Sequence, residues 1–275
     1  MPELPEVETT RLGLTPLIAD KTITDINIRQ ASLRRPVDQN ALQQCKGLSF
    51  TKLERRAKYL MLHTSDAKRS LLIHLGMSGS LRVNNKNETI KKHDHILLEL
   101  DKEYSLRFHD PRRFGQFEVI DPTQWPDYLL RLGPEPLEES FNGDYLFARS
   151  RKRKIAVKAF IMDQLIVVGV GNIYATEALF HSAVHPASVA GKVPRKAYQL
   201  LADEIKKVLV EAIRQGGTTL RDFLHSDGRG GYFQQTLSVY GKVGEACPKC
   251  NQKLESAVIG GRSSVYCSHC QRLYR

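Results

Sequence analysis

The chain has 275 residues, 41% of them hydrophobic, which excludes a disordered polypeptide and leaves room for two domains or one with an appendage. Lys and Arg outnumber Asp and Glu by 41 to 30, a net charge of +11 with a pI near 9.4, so a polyanionic partner is expected: nucleic acid first, an acidic membrane surface second. No apolar run reaches the roughly 18 to 20 residues of a membrane span, and the acidic start lacks the basic-then-apolar layout of a signal peptide, so a cytoplasmic protein is expected.

The first predicted element is a helix over residues 5–18. Pro5 suits the first helical turn, and Glu3, Glu6 and Glu8 complement the positive end of the helix dipole. Val7, Leu14, Leu17 and Ile18 share a face, and Pro16 predicts a bend. From Ile23 to Ile120 the chain alternates in short β-branched and apolar stretches, which predicts a strand-rich domain built as a sandwich. The segment RLGPEPLEESFNGDY, rich in Pro and Gly, reads as a linker. Beyond it the pattern turns helical. In PRKAYQLLADEIKKVLVEAIRQGG, Pro194 suits the start, Leu201, Ile205, Val208 and Ala212 line one face, and Gly216 and Gly217 stop the helix. The expected organisation is α+β and multidomain: residues 1–131 a β-sandwich with a leading helix, 132–148 a hinge, 149–236 a helical domain, and 237–275 a zinc ribbon. TTLRDFLHSDGRGGYFQQ, at 218–235, reads as a mobile loop over a pocket.

The ribbon rests on cysteine spacing. Four of the five cysteines form CPKC and CSHC, namely Cys247, Cys250, Cys267 and Cys270, and the sixteen residues between the pairs fit a four-thiolate zinc site. Residues 258–262 can turn a short hairpin that brings the pairs together. Two disulfides are the competing reading, disfavoured in a reducing compartment. Four protein ligands leave no open position, so one structural zinc ion is expected, with no catalytic metal or organic cofactor. His269 is read as a bystander, and Cys45 as a buried small apolar residue.

The helix dipole does not explain Pro2. Removal of the initiator methionine would leave a secondary amine, and an α-amino group titrating near 7.7 to 8.0 is roughly one-tenth free base at pH 7, against less than about 0.1% for an ordinary lysine. Such an amine can attack an electrophilic carbon and form an iminium ion without further deprotonation. Glu3, the next residue, is positioned to move a proton beside it, a role that needs its carboxyl raised by burial.

PELPEVE, RRAKYL, HLGMSGSLR, KHDH, DPRRFG, LGPEPL, VVGVGNIYATEALF, QGGTTLRDF, VYGKVGEAC and the ribbon follow one another in this order, and with them the chain resembles the formamidopyrimidine-DNA glycosylases along essentially its whole length. The resemblance implies a bifunctional enzyme of base excision repair. It would excise oxidised purines, 8-oxoguanine and formamidopyrimidines, from damaged double-stranded DNA and cut the abasic site by β,δ-elimination. It assigns Pro2 as the nucleophile on C1′, Glu3 as general acid, Lys58 to proton transfer in β-elimination and Arg262 to the δ step. A cation that stays protonated suits Arg262 as a phosphate clamp as well as a donor. On composition alone Lys58 could equally be a solvated strand residue.

A base inside a duplex must be rotated out before chemistry, and the gap filled. The resemblance gives that work to Met77, Arg112 and Phe114, and phosphate contacts to His74, His93, Arg153 and Asn172. Core packing is the ordinary fate of Met and Phe, but both lie here among Gly, Ser and Arg. Chemistry alone does not choose between Arg112 and Arg113. His93 and His95 would share a strand face, with no third metal ligand at matching spacing. The run Arg149–Lys154 reads as a solvated face that could line a groove, and Gly169–Ala175 resembles a helix-two-turn-helix whose second helix N-terminus can meet a phosphate. A monomer is expected. Two alternatives stand beside this reading: an endonuclease VIII-type glycosylase for oxidised pyrimidines, against which PELPEVE and Arg112 with Phe114 argue, and a non-enzymatic zinc-ribbon DNA-binding protein.

Overall fold

A computed structural model describes residues 2–101, 103–217 and 236–275. The chain forms two compact units. The first contains Met1–Leu130 with Gln215–Gln234, and the second Arg131–Arg214 with Gln235–Arg275. The segment 218–235, read above as a loop over the pocket, lies outside the described residues.

The first unit begins with α1 (Leu4–Ile18), followed by β1 (Ile23–Ile28), α2 (Gln39–Gln43), β2 (Phe50–Arg56), β3 (Tyr59–Thr64), β4 (Ser70–His74), β5 (Ser80–Asn85), β6 (Asp94–Leu100), β7 (Tyr104–His109), β8 (Gln116–Ile120) and α3 (Asp127–Leu130). The strands form two four-stranded antiparallel sheets, ordered β1-β6-β7-β5 and β2-β3-β4-β8. Their inner faces supply Ile26, Phe50, Leu60, Leu62, Leu71, Ile73, Leu98, Phe108 and Phe117 to one core, and α1 adds Val7, Leu14 and Ile18 to it. The leading helix is therefore part of the sandwich core, which fixes the start of the chain. Pro5 lies in the first turn of α1, as expected. The five residues of α2, capped by Asp38 accepting from the Ala41 N–H, interrupt the strand-rich stretch and are too short to leave a helical period in the sequence.

The second unit contains α4 (Gly143–Ser150), α5 (Val157–Met162), α6 (Asn172–His181), α7 (Arg195–Arg214), β9 (Glu255–Ile259) and β10 (Arg262–Tyr266). Helix α4 begins inside the segment read as a linker: Asn142 accepts from the Tyr145 N–H and caps it, and Phe141 is fully buried. Glu135 and Pro136 of the same segment are also buried rather than on a solvated tether, and the Pro134 carbonyl accepts from the Val168 N–H. Helix α7 buries Leu201, Ile205, Val208 and Ala212 on one stripe, and Gly216 and Gly217 follow it at φ of +77° each. Strands β9 and β10 pair antiparallel as the ribbon hairpin, with Gly260 and Gly261 at positive φ in its turn.

Candidate active site and nucleic-acid interface

Strand register gathers most of the expected site at one end of the sandwich. In the first sheet Ser80 and Asp94 both pair with His109, so the loop before β5 that carries Met77, His93 before β6, and the loop after β7 that carries Arg112 and Phe114 leave at the same end. In the second sheet His74 pairs with both Tyr59 and Gln116, which puts the turn bearing Lys58 beside the end of β4 and the start of β8. A strand pattern shows none of this before pairing is known.

Pro2 is buried immediately ahead of α1. Glu3, 3% exposed, is the N-cap residue, and it forms a capping box in which its side chain accepts from the Glu6 N–H and its own N–H donates to Glu6 Oε2 at 2.8 Å. Gly217 lies against the same Glu6 carboxylate, and a Cβ there would come to 3.1 Å from Oε1. Lys58 is 7% exposed in the two-residue turn between Arg56 and Tyr59, an uncommon burial for lysine. Arg55 ties this turn to α1, donating from Nε to Glu8 at 2.9 Å and from Nη1 to the Ala57 carbonyl at 2.9 Å. Burial opposes ionisation of Glu8, but Arg11 and Arg55 outweigh it and hold the carboxyl below its usual range.

His74 packs on Tyr59 with ring centroids 4.8 Å apart. Burial, reinforced by the charges of Lys58 and Arg34, brings its imidazole down to about 4, so the ring is neutral at pH 7. Its Nδ1 accepts from the Gly76 N–H at 2.9 Å, which leaves the proton on Nε2 as a donor.

Met77 is 37% exposed and Phe114 is 44% exposed, so neither is a core residue. The Arg112 guanidinium sits 5.0 Å from the Phe114 ring centroid. The two loops are joined beneath these tips. Asp110, with no exposed surface, accepts from Ser78 Oγ at 3.0 Å and the Arg112 N–H at 3.3 Å on Oδ1, and from the Gly115 N–H at 2.8 Å on Oδ2. Gly76 stands at φ +66° where a Cβ would fall 2.5 Å from the Phe114 carbonyl carbon, so only glycine allows the backbones this close. His93 lies with its ring centroid 6.0 Å from those of His95 and His109. Both neighbours are engaged: His95 Nε2 is 2.8 Å from the Asp110 carbonyl, and His109 Nδ1 is 2.8 Å from Asp94.

The second unit carries the remaining residues. Arg153 is exposed after α4, with Lys152 and Lys154. Arg151 of the same basic run instead folds back, stacking on Phe147 at 3.9 Å and donating to the Val193 carbonyl at 2.9 Å. Gly171 caps α6, and Asn172 is its first residue; Asn172 Nδ2 donates to the Ser263 carbonyl at 3.2 Å. Arg262 opens β10, exposed at the hairpin turn. The segment entering the ribbon is held by Glu177, 2% exposed, whose carboxylate accepts the N–H groups of Ser238, Val239 and Tyr240 at 2.8, 3.0 and 2.8 Å.

The thiols of Cys247, Cys250, Cys267 and Cys270 lie within 4.8 Å of one another. Sulfur separations of 3.9 Å for Cys247 to Cys270 and 3.5 Å for Cys250 to Cys267 are far outside disulfide bonding. Burial opposes ionisation of Cys247, yet the N–H groups of Lys249 and Cys250 bring it down to about 7. Burial and the neighbouring thiols push Cys270 up to about 12. A donor set that must be fully deprotonated and repels itself fits a bound divalent cation, and tetrahedral zinc suits four thiolates. Cys45 is buried with its thiol pushed up to about 11 by burial.

Sequence reasoning missed three buried supports: Asp110, Glu177 and Lys158. The signal available for each was a charged residue inside a motif or an apolar helix, where an uncompensated charge is costly.

A sandwich led by a buried imino acid, a helical unit and a four-thiolate cluster suited to zinc define a two-unit class of basic protein. The comparisons narrow it. Residues 1–117 match the formamidopyrimidine-DNA glycosylase N-terminal domain, 132–224 the formamidopyrimidine-DNA glycosylase H2TH domain, and 244–273 the zinc finger found in FPG and IleRS. The chain is 52% identical over 272 residues to the formamidopyrimidine-DNA glycosylase of Dichelobacter nodosus, covering 99% of this chain and all of the relative. It is 51% identical to that of Stenotrophomonas maltophilia over the same share of each. Among solved structures it resembles MutM (FPG) of Thermus thermophilus, with TM-score 0.87, 36% identity and full coverage of both chains. It also resembles a Lactococcus lactis FPG variant bound to Fapy-dG-containing DNA, with TM-score 0.92 and 32% identity over 98% of this chain and all of that one. The chain belongs to the formamidopyrimidine-DNA glycosylase family.

Proposed function

We propose that this chain excises oxidised purines from duplex DNA and then cleaves the abasic strand, with Pro2 as its nucleophile. The observation that carries the reading is the end-to-end match to formamidopyrimidine-DNA glycosylases at about half identity, spanning all three domains in order. Solved relatives bound to Fapy-dG and to carbocyclic 8-oxo-G in DNA supply the substrate class.

With Met1 removed, the Pro2 nitrogen attacks C1′ of the damaged nucleotide. The glycosidic bond breaks, its electron pair leaves with the base, and Glu3 supplies a proton. The amine nitrogen, having lost its proton, then expels the ring oxygen O4′ from C1′, and O4′ takes up a proton. The iminium ion so formed is the electron sink for loss of the C2′ proton and departure of the 3′ phosphate. Lys58 is given that proton transfer, and its burial beside the neutral His74 supports the assignment. Arg262 is given the second phosphate, whose departure completes the δ step. His74 Nε2–H, His93, Arg153 and Asn172 are assigned to backbone phosphates, while Met77, Arg112 and Phe114 fill the gap left by the rotated nucleotide; the exposure of the two apolar tips supports this. The zinc ion would be structural, holding together the ribbon that carries Arg262. The enzyme works in the cytoplasm, at the chromosome; among the described residues no helix is long and apolar enough to cross a membrane.

Intact mass and borohydride trapping test the proposal together. The expected result is loss of Met1 and a covalent adduct with duplex containing 8-oxoguanine opposite cytosine. An active protein that retains methionine would overturn the nucleophile, and a protein that binds damaged duplex but is never trapped would be the non-enzymatic ribbon protein instead. A Lactococcus lactis FPG has also been crystallised with DNA containing an oxidised pyrimidine, so thymine glycol opposite adenine belongs in the same assay. Faster excision of thymine glycol than of 8-oxoguanine would favour the endonuclease VIII-type activity.

A further inference from the structure

Beneath the ribbon hairpin lies a lysine for which the proposed chemistry has no use. Lys158, on the first turn of α5, has no exposed surface, and its ammonium donates to Ser264 Oγ at 2.7 Å and to the Ser263 carbonyl at 3.2 Å. Those two residues directly follow Arg262. Ser264 in turn donates from Oγ to the Arg262 carbonyl at 3.2 Å, so the buried ammonium is one hydrogen bond removed from the Arg262 backbone. The same seat has two further supports. Asn172 Nδ2 donates to the Ser263 carbonyl as well, and Gly260, at φ +58°, lies where a Cβ would meet the Ala159 side chain at 3.3 Å.

The far end of the hairpin is held by Val265 in the ribbon core and by Cys267, but its turn is not. The exposed turn of Gly260 and Gly261 offers no side chain, and Val258 is 77% exposed. Removing an ammonium from water is costly, and a methylene chain alone would fill the space under Ser264. A buried charge that donates to the backbone and hydroxyl next to an exposed arginine is suited to holding that arginine in one position. We propose that Lys158 is a positioning residue for Arg262. It sets where the guanidinium meets the leaving phosphate without touching DNA itself.

This inference rests on the role given to Arg262 above, and a double-variant cycle separates the two. Single-turnover conversion of an abasic-site duplex from the β-eliminated to the δ-eliminated product is measured for the full-length, zinc-loaded protein and for Lys158→Met, Arg262→Ala and the pair together. Zinc content and circular dichroism are followed alongside. The expected result is a loss of about tenfold or more in each single variant, with the pair no worse than Arg262→Ala alone, because the lysine acts only through the arginine. Zinc content stays at one per chain. If Arg262→Ala impairs δ-elimination and Lys158→Met multiplies that loss fully, the role of Arg262 stands and the positioning inference is overturned. If Arg262→Ala leaves δ-elimination unchanged, the role of Arg262 fails first and the inference goes with it. Should Lys158→Met fail to fold, Ser264→Ala removes the acceptor while keeping the lysine, and the same non-additivity with Arg262→Ala is expected; additive losses there would sink the proposal.

Discussion

Glu3 and His74 are both largely buried, and each makes a prediction that belongs to a single side chain. Glu3 lies in the capping box at the start of α1, where its neighbour in sequence is the proposed nucleophile. A general acid is needed when the base leaves but not once it has gone. Glu3→Gln should therefore slow release of 8-oxoguanine by about a hundredfold while costing much less in nicking of a preformed abasic site, as gel assays on the two substrates would read. His74 carries a pH signature. Its folded-state value, about 4, lies below the ordinary 6.5, so the unfolded chain binds its proton more readily. The stability it contributes is complete above pH 6.5 and is lost as pH falls toward 4, amounting to about 3 kcal/mol. In urea titrations His74→Asn, which keeps an acceptor for the Gly76 N–H, should show a shallower fall across that window. An unchanged slope would mean that His74 is not held neutral.

The loops and the ribbon act as elements, not as single residues. Asp110 joins the Met77 loop to the Arg112 and Phe114 loop, and the Gly76 backbone abuts Phe114 directly. Gly76→Ala forces a left-handed residue against a carbonyl carbon, so a loss of about 1–3 kcal/mol is expected, together with a weaker signal from a fluorescent base placed opposite the lesion, which reports filling of the gap. The ribbon depends on its metal. Cys247→Ser, or chelation at neutral pH, should release zinc and free β9 and β10. It should weaken damaged-duplex binding without unfolding the sandwich, whose core is separate, and melting followed by calorimetry would show the first unit intact. Loss of both units together would contradict this division.

At the scale of the whole molecule, charge dominates. With a net charge of +11, affinity for duplex DNA should come mostly from phosphate contacts and counterion release. If about six phosphates are neutralised, the logarithm of the association constant should fall with the logarithm of salt concentration at a slope near roughly −5. Fluorescence anisotropy across a salt series measures it directly, and a flat response would remove DNA as the partner. Arg153→Ala, an exposed cation after α4, should reduce that slope by about one.

The sequence by itself determined the chemistry-bearing motifs, the zinc ligands, the α1 and α7 helices and the strand-rich first half, because each is a local pattern of residue type, spacing or period. Cys-x2-Cys pairs and the PELPEVE start can be read without any fold. It misread the linker, since Asn142 and Phe141, which cap and bury the start of α4, resemble loop residues in isolation. Tertiary structure alone decided what holds the site in place. Asp110 reaches Ser78 across 32 residues, Glu177 reaches Val239 across 62, and Lys158 reaches Ser264 across 106. A buried charge is tolerable only where distant backbone and hydroxyl groups are brought to it, and that convergence exists only after the chain has folded.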